Sequence, residues 1–232
     1  MRPRPCRQRK NRLPPKPSRV ERGRVVFPVV LNLAGRVVVV VGGGAVGTRK
    51  AAAAIAAGAT VRIVDPTQPL GGLTPPARQI PISEAYRSNH LDGAFLVFAC
   101  ATPAVNAQVV ADAQARGILV NSASDPITGD FTLPSVVRSG DLTLAVSTGG
   151  AAPALARRLR EKFEAEFDAT FADWLRVLTE MRTVVLAEVP DSARRRELLD
   201  GFADWPWLAR MRSEGADAVQ TAMLECVRTP RP

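Results

Sequence analysis

The chain has 232 residues, long enough to bury a sizeable core, and 46% of them are hydrophobic. Its formal charge of +9 is localised: ten of the 31 basic residues and one of the 22 acidic residues lie in residues 1–24, leaving 21 of each sign elsewhere. No run approaches the roughly 18–20 uninterrupted apolar residues of a membrane span, and neither Cys6, Cys100 and Cys226 nor the single histidine, His90, gives a disulfide or zinc pattern. A sparse, odd cysteine count fits a reducing cytoplasm, and proton transfer at neutral pH must lean on carboxylates, water or a cofactor.

Residues 1–24 are rich in Pro and Arg and nearly free of apolar side chains, so they read as a disordered basic tail. The alternative is an electrostatic arm for a polyanion, but a body of neutral balance argues against nucleic acid as a partner. No apolar segment follows the charges, so the tail is not a secretory signal.

An apolar lead-in, Phe27 to Leu33, precedes Arg36-Val-Val-Val-Val-Val41, a β-branched run of the kind expected of a strand buried on both faces. Gly42-Gly-Gly-Ala-Val-Gly47 follows, then an alanine-rich helix that Gly58 ends. Val61 to Val64 is the next strand, with Asp65 at its carboxyl end. Ala94–Ala99 predicts a strand, Pro103–Arg116 a helix stopped by Gly117, and Ile118–Asn121 and Leu142–Val146 two more strands. The alternation predicts an α/β fold with a Rossmann-type doubly wound parallel sheet. From Pro153, apolar residues at three- and four-residue spacing predict one long amphipathic helix that Pro190 ends. Two shorter helices are expected around Ser192–Gly201 and Gly215–Val227, with Trp205-Pro-Trp207 between them.

Gly42-x-Gly44-x-x-Gly47 stands between a buried strand and a helix, the context that a dinucleotide-binding turn requires. Gly42 permits the tight turn, Gly44 lets a pyrophosphate approach the backbone, and Gly47 lets helix and strand pack closely. The first helical amides, at Ala45 and Val46, face the phosphates. Asp65 lies 21 positions beyond Gly44, where an acid binds the ribose hydroxyls and repels a 2′-phosphate, so NAD is expected rather than NADP. Arg62 is close by, with a direction the sequence does not fix. Arg49 and Lys50 either assist the phosphates or form a solvated face.

The run from Phe27 to Ala59 resembles the opening of the precorrin-2 dehydrogenase family, the dehydrogenase module of siroheme synthase. Val120-Asn-Ser-Ala-Ser-Asp-Pro126 with Phe131-Thr-Leu-Pro134 resembles the family's segment around its catalytic aspartate. Gly140 to Gly150, continuing through Pro153 to Arg157, resembles its substrate-side loop and dimerisation helix. The resemblance spans residues 26–165 and fades beyond them. It implies NAD-dependent oxidation of precorrin-2 to sirohydrochlorin in siroheme or cobalamin biosynthesis, by a cytoplasmic homodimer. Some members also insert Fe2+ or Co2+ into sirohydrochlorin, and no residue of this sequence separates that activity from dehydrogenation alone. A non-catalytic NAD-sensing module is the competing reading from another class.

The resemblance implies Asp125 as the catalytic acid, although some relatives carry the aspartate one position earlier, where this chain has Ser124. The alternative is that Asp125 begins an Asp-Pro turn, with Asp130 as the fallback acid. Thr102 and Asn106 match family positions beside the nicotinamide ribose, Asn106 alternatively bracing a helix turn, and Cys100 reads as a small buried residue. Ser147, Thr148, Gly149, Gly150 and Arg157 are the expected substrate-binding residues, since a substrate with eight carboxylates needs cations or clustered amides. Thr148 departs from a family pattern of two serines. Arg138, Arg158 and Arg160 flank the loop as candidate cations or as a solvated face, and no metal ligands are expected. The expected division is a tail over 1–24, an NAD-binding domain over 25–147 and a helical dimerisation extension over 148–232. The methyltransferase domain fused to this module in some siroheme synthases is expected to belong to a separate protein.

Overall fold

The computed structural model describes residues 26–67 and 78–229; the basic tail lies outside them. Five strands, β1 (Val37–Val41), β2 (Thr60–Val64), β3 (Gln79–Ile82), β4 (Leu96–Ala99) and β5 (Leu119–Ser122), form a sheet in the order β3-β2-β1-β4-β5. Every neighbouring pair is parallel. The helix α1 (Ala45–Ala56) connects β1 to β2, and α2 (Pro103–Ala115) connects β4 to β5. The first connection moves outward from β1 on one side and the second on the other, so right-handed crossovers place α1 and α2 on opposite faces.

The valine run of β1 follows from that arrangement. Val38 and Val40 pack with Ala51, Ala54 and Phe98 on the α1 face, while Val39 and Val41 pack with Val97, Val109 and Val120 on the α2 face. Burying each valine contributes on the order of 1.5–2 kcal/mol. Strand β3, which hydrophobic patterning alone did not reveal, is a short sheet edge that carries Pro81, and proline within sheets is confined to such edges.

Three expectations need correction beyond the sheet. The segment Leu142–Val146 is not a further strand of the parallel sheet: as β7 it pairs antiparallel with β6 (Ser135–Ser139) in a separate two-stranded sheet. Only Gly140 and Asp141 separate the two strands. A two-residue link closes a hairpin, whereas a parallel pair needs a crossover of about a dozen residues. Gly140 supplies the positive φ, +56°, that the turn requires.

The expected long helix is two helices, α3 (Pro153–Glu166) and α4 (Ala169–Glu188). The chain breaks at Phe167 and Asp168, where the Asp168 carboxylate accepts a hydrogen bond from the Phe171 amide at 3.0 Å and so caps α4. The Ser139 hydroxyl donates to the Asp168 carbonyl at 3.0 Å, tying the hairpin to this break. After α5 (Ser192–Phe202), Trp205-Pro-Trp207 is not a connector but the first turn of α6 (Trp205–Glu214), which precedes α7 (Ala216–Arg228). Pro206 fits there because the first helical amides need no intrahelical partner. Helices α4 to α7 enclose a core of their own around Phe171, Trp174, Met181, Leu198, Phe202 and Met223, sharing no residue with the sheet clusters. Among the described residues no helix is long and apolar enough to cross a membrane.

Candidate dinucleotide site at the sheet's switch point

Strands β1 and β4 are neighbours whose connections diverge, so a crevice opens at their carboxyl ends, the usual ligand position in an open α/β sheet. The backbone there is tightly specified. Gly42 has φ +100°, and a Cβ on it would lie 2.5 Å from the Cys100 carbonyl oxygen and 2.7 Å from the Ala101 nitrogen. A Cβ on Gly47 would overlap the Gly42 carbonyl oxygen and crowd the Val40 side chain. Both positions therefore demand glycine for close packing of loop, helix and strand.

Gly44 differs. Its φ of −65° suits any residue, and nothing lies within 4 Å of where its Cβ would stand. The open space adjoins the start of α1, which has no side-chain cap and no acidic residue in its first turn. The amides at Ala45, Val46 and Gly47 thus form an uncapped, electropositive helix end beside a surface that only a missing side chain keeps clear. These residues fit a pyrophosphate.

Asp65 stands at the end of β2 with its carboxylate turned to this loop. One carboxylate oxygen accepts the Gly43 amide at 2.6 Å, and the other accepts both the amide and the hydroxyl of Thr67 at 2.8 Å. Arg62 points away, donating to the Asp92 carbonyl at 2.7 Å. Arg49 is exposed, whereas Lys50 turns inward to the Asn121 side-chain oxygen at 2.5 Å and lies over the Phe98 ring. Beside the two readings of Lys50, phosphate ligand and solvated residue, the structure thus sets an internal contact. Nothing in the local sequence pattern pointed to its partner.

At the end of β4, Thr102 is exposed and begins α2. Asn106 is 1% exposed, and its amide is spent within the protein. Its oxygen accepts the Ala101 amide at 2.8 Å, and its nitrogen donates to the Ala101 carbonyl at 3.1 Å and the Ser124 hydroxyl at 3.0 Å. Of the two expected roles of Asn106, contact with the nicotinamide ribose and bracing of a helix turn, these bonds serve the second: Asn106 joins the loop after β4 to the loop after β5. Burial pushes the half-buried Cys100 thiol up, against the opposing pull of Lys50 and Arg49.

Asp125 is exposed on the loop after β5. Its amide donates to the Ser122 hydroxyl at 3.2 Å and one carboxylate oxygen accepts the Ile127 amide at 3.2 Å, the geometry of an Asp-Pro turn that still presents the carboxylate to solvent. Asp130 is committed elsewhere: its carboxylate accepts the Val120 amide at 3.1 Å and its own amide donates to the Val120 carbonyl at 2.7 Å, closing the loop on β5.

The Ser147–Gly150 segment connects β7 to α3. The Ser147 hydroxyl accepts the Gly149 amide and the Thr148 hydroxyl accepts the Ala152 amide, each at 3.2 Å. Threonine at 148 therefore keeps a working hydroxyl. Gly149 and Gly150 have φ of +60° and +85° with open space around them, and α3 begins without a side-chain cap. Arg157 is exposed and 3.8 Å from Glu161; Arg160 pairs with Glu164, and Arg138 donates to Thr143, while Arg158 is exposed. Among the described residues no three His, Cys, Asp or Glu side chains are grouped to hold a metal.

The comparisons with known proteins fall on the same two regions. A family of NAD(P)-binding domains matches residues 29–135, and the family of the sirohaem biosynthesis protein's central segment matches residues 139–166. The siroheme synthase of Gluconacetobacter diazotrophicus is 38% identical over 204 residues, 84% of this chain and 43% of the relative. That of Chromobacterium violaceum is 34% identical over 86% of this chain and 43% of its own length. The chain thus spans less than half the length of these curated relatives. Among solved structures, the precorrin-2 dehydrogenase SirC superposes with a TM-score of 0.72 at 27% identity, covering 87% of this chain and 98% of that one.

Proposed function

We propose that this chain, similar to the siroheme synthases and to the precorrin-2 dehydrogenase SirC, oxidises precorrin-2 to sirohydrochlorin with NAD. The observation that carries the proposal is the uncapped start of α1 beside the open surface at Gly44, with the Asp65 carboxylate held at the same loop. Bound NAD+ would supply the hydride acceptor for oxidation of the tetrapyrrole, and one proton would remain for the protein's own groups to remove.

The protein's own groups divide the remaining work. The amides of Ala45, Val46 and Gly47 receive the pyrophosphate, and Asp65 receives the ribose hydroxyls and disfavours a 2′-phosphate by charge. Thr102, exposed at the end of β4, borders the nicotinamide end of the crevice. Asp125 takes the proton, because its carboxylate is exposed at the carboxyl end of β5 while Asp130 is tied to Val120. Ser147 to Gly150, with the start of α3 and Arg157, seat substrate carboxylates.

The domain reading follows the packing. Residues 25–134 are the dinucleotide-binding unit, and the hairpin, which packs on α3 and α4, goes with the helices. This packing supports a boundary at the start of β6 as an alternative to residue 147. The working protein is a cytoplasmic homodimer built through the helical unit. Anaerobic incubation with precorrin-2 tests the activity: sirohydrochlorin and NADH should appear in equal amounts with NAD and far more slowly with NADP. Binding of NAD with no turnover would instead identify an NAD-sensing module. Sedimentation at the mass of one chain would sink the dimer.

A further inference from the structure

The loop after β5, residues 123–131, is held at both ends by side chains distant in sequence. At its start, Asn106 donates to the Ser124 hydroxyl. At its end, the Asn121 amide nitrogen donates to the Phe131 carbonyl at 2.8 Å, and Asp130 pairs with the Val120 backbone. Asn121 is 5% exposed, so its amide oxygen also needs a donor. That donor is the Lys50 ammonium, 2.5 Å away and supplied by α1, the helix whose first turn faces the dinucleotide.

Lys50 is an unusual choice for a purely structural contact. Its Nζ is 5.3 Å from the centroid of the Phe98 ring and no ion pair is formed with it among the described residues. A half-buried ammonium is costly to desolvate, and a hydrogen bond from a charged donor is about twice as strong as a neutral one. The Asn121 oxygen therefore holds its partner firmly, and the chain of contacts runs Lys50 to Asn121 to Phe131. Phe131 itself packs edge-on against Phe98 at 5.8 Å between centroids, so the ring beneath the lysine also supports the end of the loop.

We propose that Lys50 is a positioning residue: through Asn121 it fixes the loop that carries Asp125 relative to the helix that receives the dinucleotide. The link to catalysis rests on the proposed role of Asp125; the mechanical link does not. A displacement of about 1 Å in a reacting group can cost about a hundredfold in rate, so a loosened loop is read in kcat rather than in dinucleotide affinity.

The experiment compares the full chain with Lys50→Met, Lys50→Arg, Asn121→Ala and the Lys50→Met/Asn121→Ala double variant. Hydrogen–deuterium exchange of residues 123–131 should accelerate about tenfold in Lys50→Met and Asn121→Ala, with α1 protection retained as evidence of folding. The double variant should exchange no faster than the worse single one, since both break the same contact. Turnover should show kcat reduced about tenfold with the NAD KM within about twofold of the parent, and Lys50→Arg should recover part of the loss. Unchanged exchange in residues 123–131 on folded Lys50→Met overturns the proposal. So does a raised NAD KM at constant kcat, which would make Lys50 a phosphate ligand. If the parent chain fails to turn over precorrin-2, the proposed function fails, while the exchange comparison still decides whether Lys50 holds the loop.

Discussion

A methyl group on Gly47 would overlap the carbonyl oxygen of Gly42, because the first turn of α1 rests directly on the loop that leaves β1. Gly44, three residues earlier, has no neighbour in the corresponding direction. The two glycines of one motif thus serve different ends, the first internal packing and the second access for a ligand. Gly47→Ala should destabilise the fold by about 1–3 kcal/mol through overpacking and weaken NAD binding with it. Gly44→Ala should leave the denaturation midpoint nearly unchanged yet weaken NAD about a hundredfold, since the new methyl group occupies the approach to the phosphates. Urea denaturation and dinucleotide titration of both variants separate the two effects.

If the proposed role of Asp65 holds, its charge decides the choice between NAD and NADP. Asp65→Asn should weaken NAD about tenfold and affect NADP less, narrowing the preference between them. Parallel titrations with the two dinucleotides provide the check, and an unchanged ratio would remove Asp65 from cofactor selection.

Asp125 and Asp130 should behave as opposites. Asp125→Ala should leave NAD binding intact and lower kcat at least about a hundredfold, in the range of general-base catalysis. Asp130→Ala removes the acceptor of the Val120 amide and should appear first as lost stability, about 1–3 kcal/mol. Turnover measured beside thermal denaturation for each variant distinguishes a proton acceptor from a loop closure.

Asn106→Leu should be the most destabilising of these changes. It leaves the Ala101 amide and carbonyl without their buried partner and introduces an apolar side chain against them, at a cost of about 2–4 kcal/mol. A variant as stable as the parent would show that the junction between the two loops is held by something else.

Cys100 should be a slow nucleophile. Burial is the largest influence on its thiol and raises the pKa, so the neutral form dominates near neutral pH. Iodoacetamide should modify it about tenfold more slowly in the native chain than in urea, read by peptide mass. The folded state holds this proton more tightly than the unfolded state does. The associated stability is present below the ordinary thiol range and is lost as pH rises through it. Lys50 pulls the thiol the other way, so Lys50→Met should slow the labelling further.

The parts of the fold that are local in sequence were legible there. The valine run, the glycine spacing and Asp65 announce β1, the turn and β2, because burial on both faces and backbone close approach each impose a residue type. The long-range tie made by Lys50 was not. Lys50 and Asn121 are separated by 71 positions, and no periodicity marks a lysine that turns inward. Two misreadings did have signals. Asp168 is an ordinary helix-capping residue hidden within an unbroken apolar rhythm, and Asp204 followed by Trp205-Pro206 is a helix start with proline in its first turn. The hairpin was announced by Gly140 and Asp141, but only half of it was recognised: Ser135 to Ser139 has a single fully buried apolar residue, Val137, and so little apolar contrast.

The bond from the Gly43 amide to Asp65 bears on how quickly the dinucleotide is captured. The turn is already braced before any ligand arrives, with Thr48 donating to the Gly43 carbonyl from the other side at 3.0 Å. Ordering of this turn is accomplished during folding rather than at the encounter, so the turn itself adds no rearrangement between collision and capture. Association should therefore proceed in a single kinetic phase whose rate rises linearly with dinucleotide concentration, and differences in affinity among variants of this turn should lie in how long the complex lasts.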